Sequence, residues 1–270
     1  VVGKYLYLHD FIINTIKMSN NTAERANLED ENNYIYQRCL KAYYEAKNIV
    51  KGNVLEIGTG EGYGVKEIAP LVDKLTTIDQ FESNVDFSKF DNAEFVKMTV
   101  PKLDFEDNTF DTVFSFQVIE HIDNDSEYLK EISRVLKTGG KFICTTPNIK
   151  TTLSRNPWHY REYTKDELKD LMLNFFSSVD AKGVHGNEKV MEYYEINKAN
   201  IHKIMRFDIF NLQYNLPRKS LQWAYDFMNK RNRNKMHKED NTLSASITKD
   251  DFFIQDVHDD SLDLFYIAEK

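Results

Sequence analysis

The sequence predicts an α/β fold built on parallel strands, and three observations carry this prediction. A short apolar run over residues 54–57 reads as a buried strand, and it leads into a glycine-rich turn and a helix that Pro70 ends. A second apolar run, Leu75 to Asp79, ends in an acid about 20 residues after the glycines, as in a nucleotide-binding strand–helix–strand unit. Short strands then alternate with helical patterns as far as Ala181. This order predicts a crevice at the carboxyl ends of parallel strands.

Composition places the chain among globular proteins and argues against several classes of partner. The 270 residues are 41% hydrophobic and 29% charged, and their formal net charge of −8 does not favour nucleic-acid binding. No apolar run approaches the ~20 residues that a membrane span needs, so no membrane partner is expected. The two cysteines, Cys39 and Cys144, are too few for a disulfide scaffold and predict a reducing, cytoplasmic location.

An amphipathic helix is predicted before the glycine turn. Apolar residues between Tyr36 and Val50 recur at steps of three and four residues, and Gly52 ends the pattern. We interpret its aromatic stripe as core packing.

A long insertion is predicted before the last strand. The sixth predicted strand, 176–181, and the last, 262–268, are separated by 80 residues, far more than a hairpin needs. Patterns over 190–207 and 217–230 predict helices that form a lid over an acceptor site or the surface of a homodimer. The basic run that follows, 230–238, is either a solvated face or a contact for an anionic substrate.

The turn after the first strand carries glycines at alternating positions, namely Gly58, Gly60, Gly62 and Gly64. Glycine tolerates positive φ and lets a ligand lie directly on the backbone. Dinucleotide-binding turns read Gly-x-Gly-x-x-Gly, but here Tyr63 stands at the third glycine and Glu56 precedes the first by two residues. Acids beside the turn disfavour a pyrophosphate and suit a ligand that carries an ammonium group. The alternative is a tight strand-to-helix turn that binds nothing.

Asp79 ends the second strand where a carboxylate can accept both hydroxyl hydrogens of a ribose, so it is the predicted ribose ligand. The alternative is a helix cap for the segment that starts at Phe81.

Polar residues after the fourth strand, 112–116, are expected to face the crevice: Gln117, Glu120 and His121. His121 suits proton transfer near neutral pH. The alternative is that Glu120 and His121 cap the next helix, 127–136, which the glycine pair 139–140 is predicted to end.

A second polar group, His159, Tyr160, Arg161 and Glu162, precedes a helix whose start is signalled by Thr164 and Glu167, a capping-box pair. We expect this group either to close the substrate side of the crevice or to tether the loop.

Taken in order, the glycine turn, Asp79 and the glycine pair at 139–140 resemble the class I S-adenosylmethionine-dependent methyltransferases. Within that family, residues 118–121 and 159–164 look most like those of the small-molecule, type 11/23-like members. The resemblance implies a Rossmann-like, doubly wound, seven-stranded and mostly parallel sheet with an antiparallel last strand and a helical insertion before it. It implies that S-adenosyl-L-methionine is the cofactor. Gly58 and Gly60 would take its methionine part, Asp79 its ribose, and Gln117 would lie near the methyl donor. The predicted cofactor-binding set is Glu56, Gly58, Thr59, Gly60, Gly62, Asp79, Gln80, Thr99, Val100 and Gln117.

The chain departs from the family at two positions. Asp104 stands where these enzymes commonly have a proline, and Thr99 aligns with the acid that usually lies near the adenine amine. The backbone of residues 98–100 is still expected to line the base.

The resemblance implies methyl transfer to a small-molecule acceptor of the sugar, quinone or secondary-metabolite type, with His121 or His159 as base and no metal. It also divides the chain into an N-terminal helical segment (1–52), a cofactor-binding domain (53–182 and 251–270) and the insertion (183–250).

Three other functions are weighed against this one. Metal-dependent RNA 2′-O-methyltransferases have Glu-x-x-Glu-His in the same place and a later histidine, which Glu120, His121 and His159 would match, but Gln117 replaces the first carboxylate. A methyltransferase-fold binding protein without catalysis is the second, and the intact glycine turn argues against it. A nicotinamide dehydrogenase is disfavoured by Tyr63 and Glu56.

Overall fold

A single sheet of eight strands runs through the part of the chain that the computed structural model describes, which is residues 33–206, 221–222 and 241–270. The strands are β1 (Asn53–Ile57), β2 (Lys74–Asp79), β3 (Ala93–Lys97), β4 (Phe110–Phe116), β5 (Leu136–Pro147), β6 (Ser178–Gly186), β7 (Phe252–Asp256) and β8 (Asp263–Glu269). Their order in the sheet is β3-β2-β1-β4-β5-β8-β6-β7. The predicted helix over 217–230 and the basic run 230–238 fall almost entirely outside the described residues.

The strand directions confirm the predicted topology. Strands β1 to β5 are parallel to one another, and β8 is inserted between β5 and β6, antiparallel to both. The predicted number of seven strands is too small, because β7 adds an eighth strand antiparallel to β6. This strand lies at the edge of the sheet and buries only Phe252, so its sequence shows no clear alternation of buried and exposed residues.

Helices cover both faces of the sheet. They are α1 (Asn33–Ala46), α2 (Tyr63–Ile68), α3 (Asp125–Val135), α4 (Lys165–Leu173), α5 (Glu188–Met205) and α6 (Asn241–Ser246). Helices α1, α2 and α5 pack on one face and α3 and α4 on the other, each in a separate buried cluster. Strand β4 shows why: Phe114 and Phe116 point to the first cluster and Val113 to the second, as the period of two requires. The fold is therefore doubly wound.

The ends of two predicted helices can be compared with the structure. The glycine pair does not end the third helix, because α3 stops at Val135 and β5 begins at Leu136, with a register shift before Lys141. The predicted helix over 190–207 is confirmed as α5, which begins two residues earlier. Strand β6 extends to Gly186 and so enters the predicted insertion, and the division into domains stays a prediction.

None of the helices in the described ranges combines the length and apolar character that crossing a bilayer requires.

At one residue of the turn between β1 and α2, Gly62, there is no space for a side chain. Gly62 has φ of 79°, and a Cβ atom there would overlap the Cγ2 atom of Val85. Gly139 has a similar φ of 73°, but no atom lies within 4 Å of the position of its Cβ. The two positions thus share one backbone constraint and differ in packing.

This difference predicts unequal losses of stability. We expect Gly139→Ala to lower the free energy of unfolding by about 1 kcal/mol, the cost of a left-handed backbone for a residue with a Cβ. Gly62→Ala adds a steric overlap and should cost about 3 kcal/mol. Urea denaturation of both variants measures the losses, and equal losses would show that Val85 does not crowd the turn.

Candidate functional site

The site lies where the chain reverses its direction of strand addition. From β1 the chain adds β2 and β3 on one side and then returns to add β4 on the other, so the switch point, where a crevice is expected, lies between the carboxyl ends of β1 and β4. In open α/β sheets this switch point is where ligands bind. The glycine turn follows β1, Asp79 ends β2 and Gln117 follows β4, all at this edge.

The glycine turn is bonded to the end of β2. The backbone N–H groups of Gly58 and Thr59 both donate to the carbonyl of Ile78, at 2.8 and 3.1 Å. The hydroxyl groups of Thr59 and Thr77 lie 2.6 Å apart in the buried layer below the turn. At Gly60, φ is 51° and the position of a Cβ faces open space, so bare backbone is presented to the crevice.

Glu56 lies beneath this turn and is 1% exposed. Its two carboxylate oxygens accept hydrogen bonds from the hydroxyl groups of Tyr43, at 2.9 Å, and Thr77, at 2.6 Å. Burial raises the pKa of Glu56 to about 7, although both hydrogen bonds oppose the rise. Glu56 therefore lies below the backbone of the turn and joins α1 to β2 through Tyr43 and Thr77. Its direct contact with a ligand stays a prediction.

Asp79 joins the turn to the residues that follow β2. Its Oδ2 accepts from the N–H of Gly60 at 3.0 Å, and its Oδ1 accepts from the N–H of Phe81 at 2.9 Å. The alternative that Asp79 caps a helix is wrong, since no helix begins at Phe81. The contact with Phe81 is an Asx turn instead.

The residues predicted to lie near a base follow the neighbouring strands. Gln80 is exposed directly after Asp79. The N–H of Met98 donates to the carbonyl of Asp79 at 2.9 Å, which brings the end of β3 beside the acid. Thr99 is exposed and Val100 half-buried in the next two positions.

Gln117 has φ of 57°, a left-handed conformation that is uncommon outside glycine. Its N–H donates to the carbonyl of Thr145 at 2.9 Å, which holds it at the end of β4 beside β5. Non-glycine residues with this backbone cluster at functional sites, where the surrounding structure supports the strain.

Glu120, His121 and His159 come together beyond Gln117. The imidazole centroids of His121 and His159 are 4.8 Å apart, with the ring planes at 81°. One potential ligand atom from each of the three residues lies within 4.8 Å of the other two. Burial raises the pKa of Glu120, and its carboxylate accepts from the Thr146 hydroxyl at 2.9 Å. The alternative that Glu120 and His121 cap α3 is wrong, because the cap is Asn124.

The loop before α4 is fastened to Glu120 through the backbone. The N–H groups of Tyr160 and Arg161 donate to the carbonyl of Glu120 at 2.7 and 3.4 Å. Within the loop, the Nδ1 atom of His159 lies 2.6 Å from the Oε1 atom of Glu162. The predicted capping box of Thr164 and Glu167 is confirmed at the start of α4.

Sequence reasoning missed four polar residues around these histidines: Arg38, Thr152, Asn156 and Asp263. Thr152 and Asn156 bond to Glu162 and His159, and Asn156 belongs to an Asn-Pro-Trp turn that could have indicated it. Arg38 of α1 is partly buried and forms an ion pair with the buried Asp263 at the start of β8, with Nε and Oδ2 3.0 Å apart. Burial raises the pKa of Asp263 to about 6, against the effect of Arg38. No local pattern signals a pair separated by most of the chain.

Comparison with known proteins agrees with this geometry. A family model described as a methyltransferase domain matches residues 55–144. A probable S-adenosylmethionine-dependent methyltransferase of Mycobacterium tuberculosis is 33% identical over 154 residues, which cover 54% of this chain and 56% of that protein. A similarly described protein of Mycolicibacterium smegmatis is 34% identical over 167 residues, covering 58% and 65%. The chain thus spans less than two thirds of the length of these relatives.

The fold has a counterpart among solved structures. A Thermotoga maritima protein, described as an S-adenosylmethionine-dependent methyltransferase and possible histamine N-methyltransferase, superimposes with a TM-score of 0.54. The match covers 88% of this chain and 91% of the Thermotoga maritima chain at 15% sequence identity, so the likeness is one of fold. The chain is therefore similar to S-adenosylmethionine-dependent methyltransferases, and a methyltransferase domain is matched over residues 55–144.

Proposed function

We propose that this protein transfers a methyl group from S-adenosyl-L-methionine to a small-molecule acceptor of the sugar, quinone or secondary-metabolite type. The observation that carries the proposal is the contact between Gly60 and Asp79, which joins a bare-backbone turn to a carboxylate at the switch point. A nucleoside needs both features, one for close approach and one for its ribose hydroxyls.

The donor set fits the cofactor. The Asp79 carboxylate accepts one backbone N–H on each oxygen, which fixes its orientation at the end of β2, and a carboxylate is the acceptor that ribose hydroxyl groups need. In this proposal Gly58, Thr59, Gly60 and Gly62 lie along the methionine part. Gln80, Thr99 and Val100 lie along the base, and Gln117 lies near the methyl donor.

Charge supports a sulfonium ligand over a pyrophosphate. Glu56 lies below the turn and ionises near neutral pH, because burial raises its pKa to about 7. Its negative charge in a site of low dielectric attracts a cation and repels phosphates. The cofactor supplies an electrophilic methyl group, and the chain's residues then orient the acceptor and remove its proton.

His121 and His159 are the proposed proton acceptors. Methyl transfer needs the acceptor atom in line with the methyl group at about 3 Å, and most of the rate enhancement comes from that positioning. His121 follows Gln117 by four residues, and the ring of His159 packs against that of His121.

The insertion, residues 183–250, is proposed as a lid or as a homodimer surface. Its helix α5 packs against α1 through Tyr193, whose ring stacks on Tyr34 with centroids 4.7 Å apart. The hydroxyl of Tyr194 donates to the carbonyl of Thr151 at 2.9 Å, which ties α5 to the loop that carries His159. These contacts support a lid.

Calorimetric titration with S-adenosyl-L-methionine at pH 6 and pH 8 tests the cofactor assignment. A cationic ligand binds the ionised form of Glu56 more tightly, so its affinity should rise as pH passes the raised pKa of about 7. The ionised fraction grows from about one tenth to about nine tenths over this range, which permits a rise of roughly tenfold.

Glu56→Gln is the control for this titration. It keeps the side-chain size and should leave only the pH dependence of the ligand's own amino group. The same pH dependence in both proteins would remove Glu56 from the account, and no binding at either pH would overturn the proposed function itself.

Turnover tests the base assignment. We expect His121→Ala and His159→Ala to lower the formation of S-adenosylhomocysteine, with a panel of sugar, quinol and phenolic acceptors, by about 100-fold. Cofactor affinity should stay within about twofold, since the glycine turn and Asp79 are untouched. His202→Ala, an exposed histidine on α5, is the matched control. Full rate in both variants would show that neither histidine is the base.

A metal-dependent RNA 2′-O-methyltransferase is the second candidate, and the cluster of Glu120, His121 and His159 favours it. A metal bound at about 2.1 Å from each ligand atom would hold these atoms at most about 4.2 Å apart. The observed spread reaches 4.8 Å, so the cluster would have to contract. The net charge of −8 also disfavours RNA.

Metal analysis separates the two candidates. We expect the purified protein to carry far less than one equivalent of divalent metal and its turnover to be unchanged by EDTA. One equivalent of metal that is lost in Glu120→Ala would favour the RNA enzyme. Cofactor binding without turnover on any acceptor would favour the non-catalytic alternative.

A further inference from the structure

Three buried polar atoms without a hydrogen-bond partner come together where α1 meets the start of β8. They are the hydroxyl oxygen of Tyr34, Nε of Arg38 and Oδ1 of Asp263. In the described part of the chain only one other buried side-chain atom lacks a partner, Oδ1 of Asn53, and it lies at the amino end of β1 on the opposite edge of the sheet. Buried polar groups of native proteins are nearly always hydrogen-bonded, so three in one cluster need an explanation.

Arg38 contacts both other members of this cluster. Its Nε lies 3.0 Å from Oδ2 of Asp263, and its Cζ lies 5.5 Å from the centre of the Tyr34 ring. The Asp263 carboxylate uses Oδ2 for the ion pair, so Oδ1 is left without a donor among the described residues. The cluster therefore offers a buried acceptor beside donors from a guanidinium and a phenol.

The cluster lies at the same edge of the sheet as the proposed methyl donor. Asp263 pairs with Pro147 at the carboxyl end of β5, and the N–H of Gln117 is bonded to Thr145 of the same strand. Gln117 and Asp263 follow strands on either side of β5, so two strand spacings, about 10 Å, separate their backbones. The side chains shorten this gap, which suits an acceptor the size of a monosaccharide.

A hydroxyl group can bond to both kinds of atom at once. It donates one hydrogen bond, which Oδ1 of Asp263 can accept, and it accepts others, which Arg38 and Tyr34 can donate. An ammonium group only donates, whereas phosphate, carboxylate and quinone oxygens only accept. Each of these other groups would leave part of the cluster without a partner.

Charge also favours a neutral ligand here. The ion pair of Arg38 and Asp263 contributes one charge of each sign. An anion drawn to the guanidinium is repelled by the carboxylate beside it, and a cation meets the opposite conflict. A neutral hydroxyl compound meets neither.

We propose that Tyr34, Arg38 and Asp263 bind a hydroxyl group of the acceptor other than the one that is methylated, and so select a polyhydroxylated acceptor of the sugar type. The proposal rests on the proposed function and narrows its class of acceptor. The Arg38 side chain is 18% exposed and that of Asp263 is 3% exposed, so a ligand meets Arg38 first. In this proposal the entering hydroxyl shifts Arg38 and reaches Oδ1 behind it.

Ligand-observed NMR titration of the full chain with free hexoses tests the proposal without methyl transfer. The probes are D-glucose, D-galactose and D-mannose, each with its monodeoxy derivatives, in the presence of S-adenosylhomocysteine. We expect at least one hexose to bind. The monodeoxy derivative that lacks the contacted hydroxyl should bind about tenfold more weakly, because it leaves the cluster unbonded.

Tyr34→Phe removes one donor and keeps the ring that stacks on Tyr193. The hydroxyl has no hydrogen-bond partner within the protein, so the midpoint of urea denaturation should not fall. The Kd of the hexose should rise about fivefold, and its preference over the deoxy derivative should shrink accordingly. Tyr44→Phe is the matched control on α1, where its ring contacts Lys47, and it should change neither quantity.

Asp263→Asn replaces the charged acceptor with a neutral amide of the same size. We expect the Kd of the hexose to rise about 30-fold, since hydrogen bonds to charged groups are the stronger ones. If this variant does not fold because Arg38 loses its counter-charge, Tyr34→Phe still decides the question.

The outcomes separate this proposal from the proposed function. No binding of any hexose, an unchanged Kd in Tyr34→Phe, or a lower urea midpoint in that variant would overturn the hydroxyl site and leave a buried water as the partner of the cluster. Hexose binding with the expected losses, but no binding of S-adenosyl-L-methionine by calorimetry, would overturn the proposed function and leave the hydroxyl site standing.

Discussion

The site depends on the attachment of the glycine turn to the end of β2. Three backbone N–H groups of the turn, at Gly58, Thr59 and Gly60, are held by Ile78 and Asp79. Because β1 and β2 are paired as far as Ile57 and Ile78, these hydrogen bonds fix the turn to the sheet. The backbone at Gly60, which carries no side chain, is thus held in place at the edge of the crevice. Every assignment of a cofactor contact assumes this fixed surface.

Acids buried near the carboxyl edge of the sheet give the site its electrostatic character. Glu56, Glu120 and Asp263 are all nearly inaccessible to water, and burial raises the pKa of each. Such groups destabilise a fold in their charged form unless partners or a cation compensate them. Arg38 compensates Asp263 directly. A bound sulfonium would do the same for Glu56, which links the stability of the site to occupancy by a cation.

The sequence predicted the features that depend on local pattern and missed those that depend on distant contacts. Strands β1 to β6 and β8, the turn between β1 and α2 and the capping box at Thr164 each show within a few residues, and the structure confirms these elements. The role of Asp79 as a ribose ligand stays a prediction. The edge strand β7 was not predicted, because only one of its side chains is buried and its sequence shows no alternating pattern. The ion pair of Arg38 and Asp263 was not predicted, because only the folded sheet brings α1 against the start of β8.

The two halves of the site are therefore specified in different ways. The cofactor half is encoded by one strand–turn–helix unit and its neighbour β2, so it can be recognised from a short stretch of sequence. The proposed acceptor half is assembled from the end of β4, the loop before α4, helix α1 and the first residue of β8. Each of these segments is ordinary by itself, and the chemistry arises from their juxtaposition. In this proposal acceptor preference can change through a few contacts in this half while the glycine turn stays constant, so a match to a methyltransferase domain leaves the acceptor to be determined from the site.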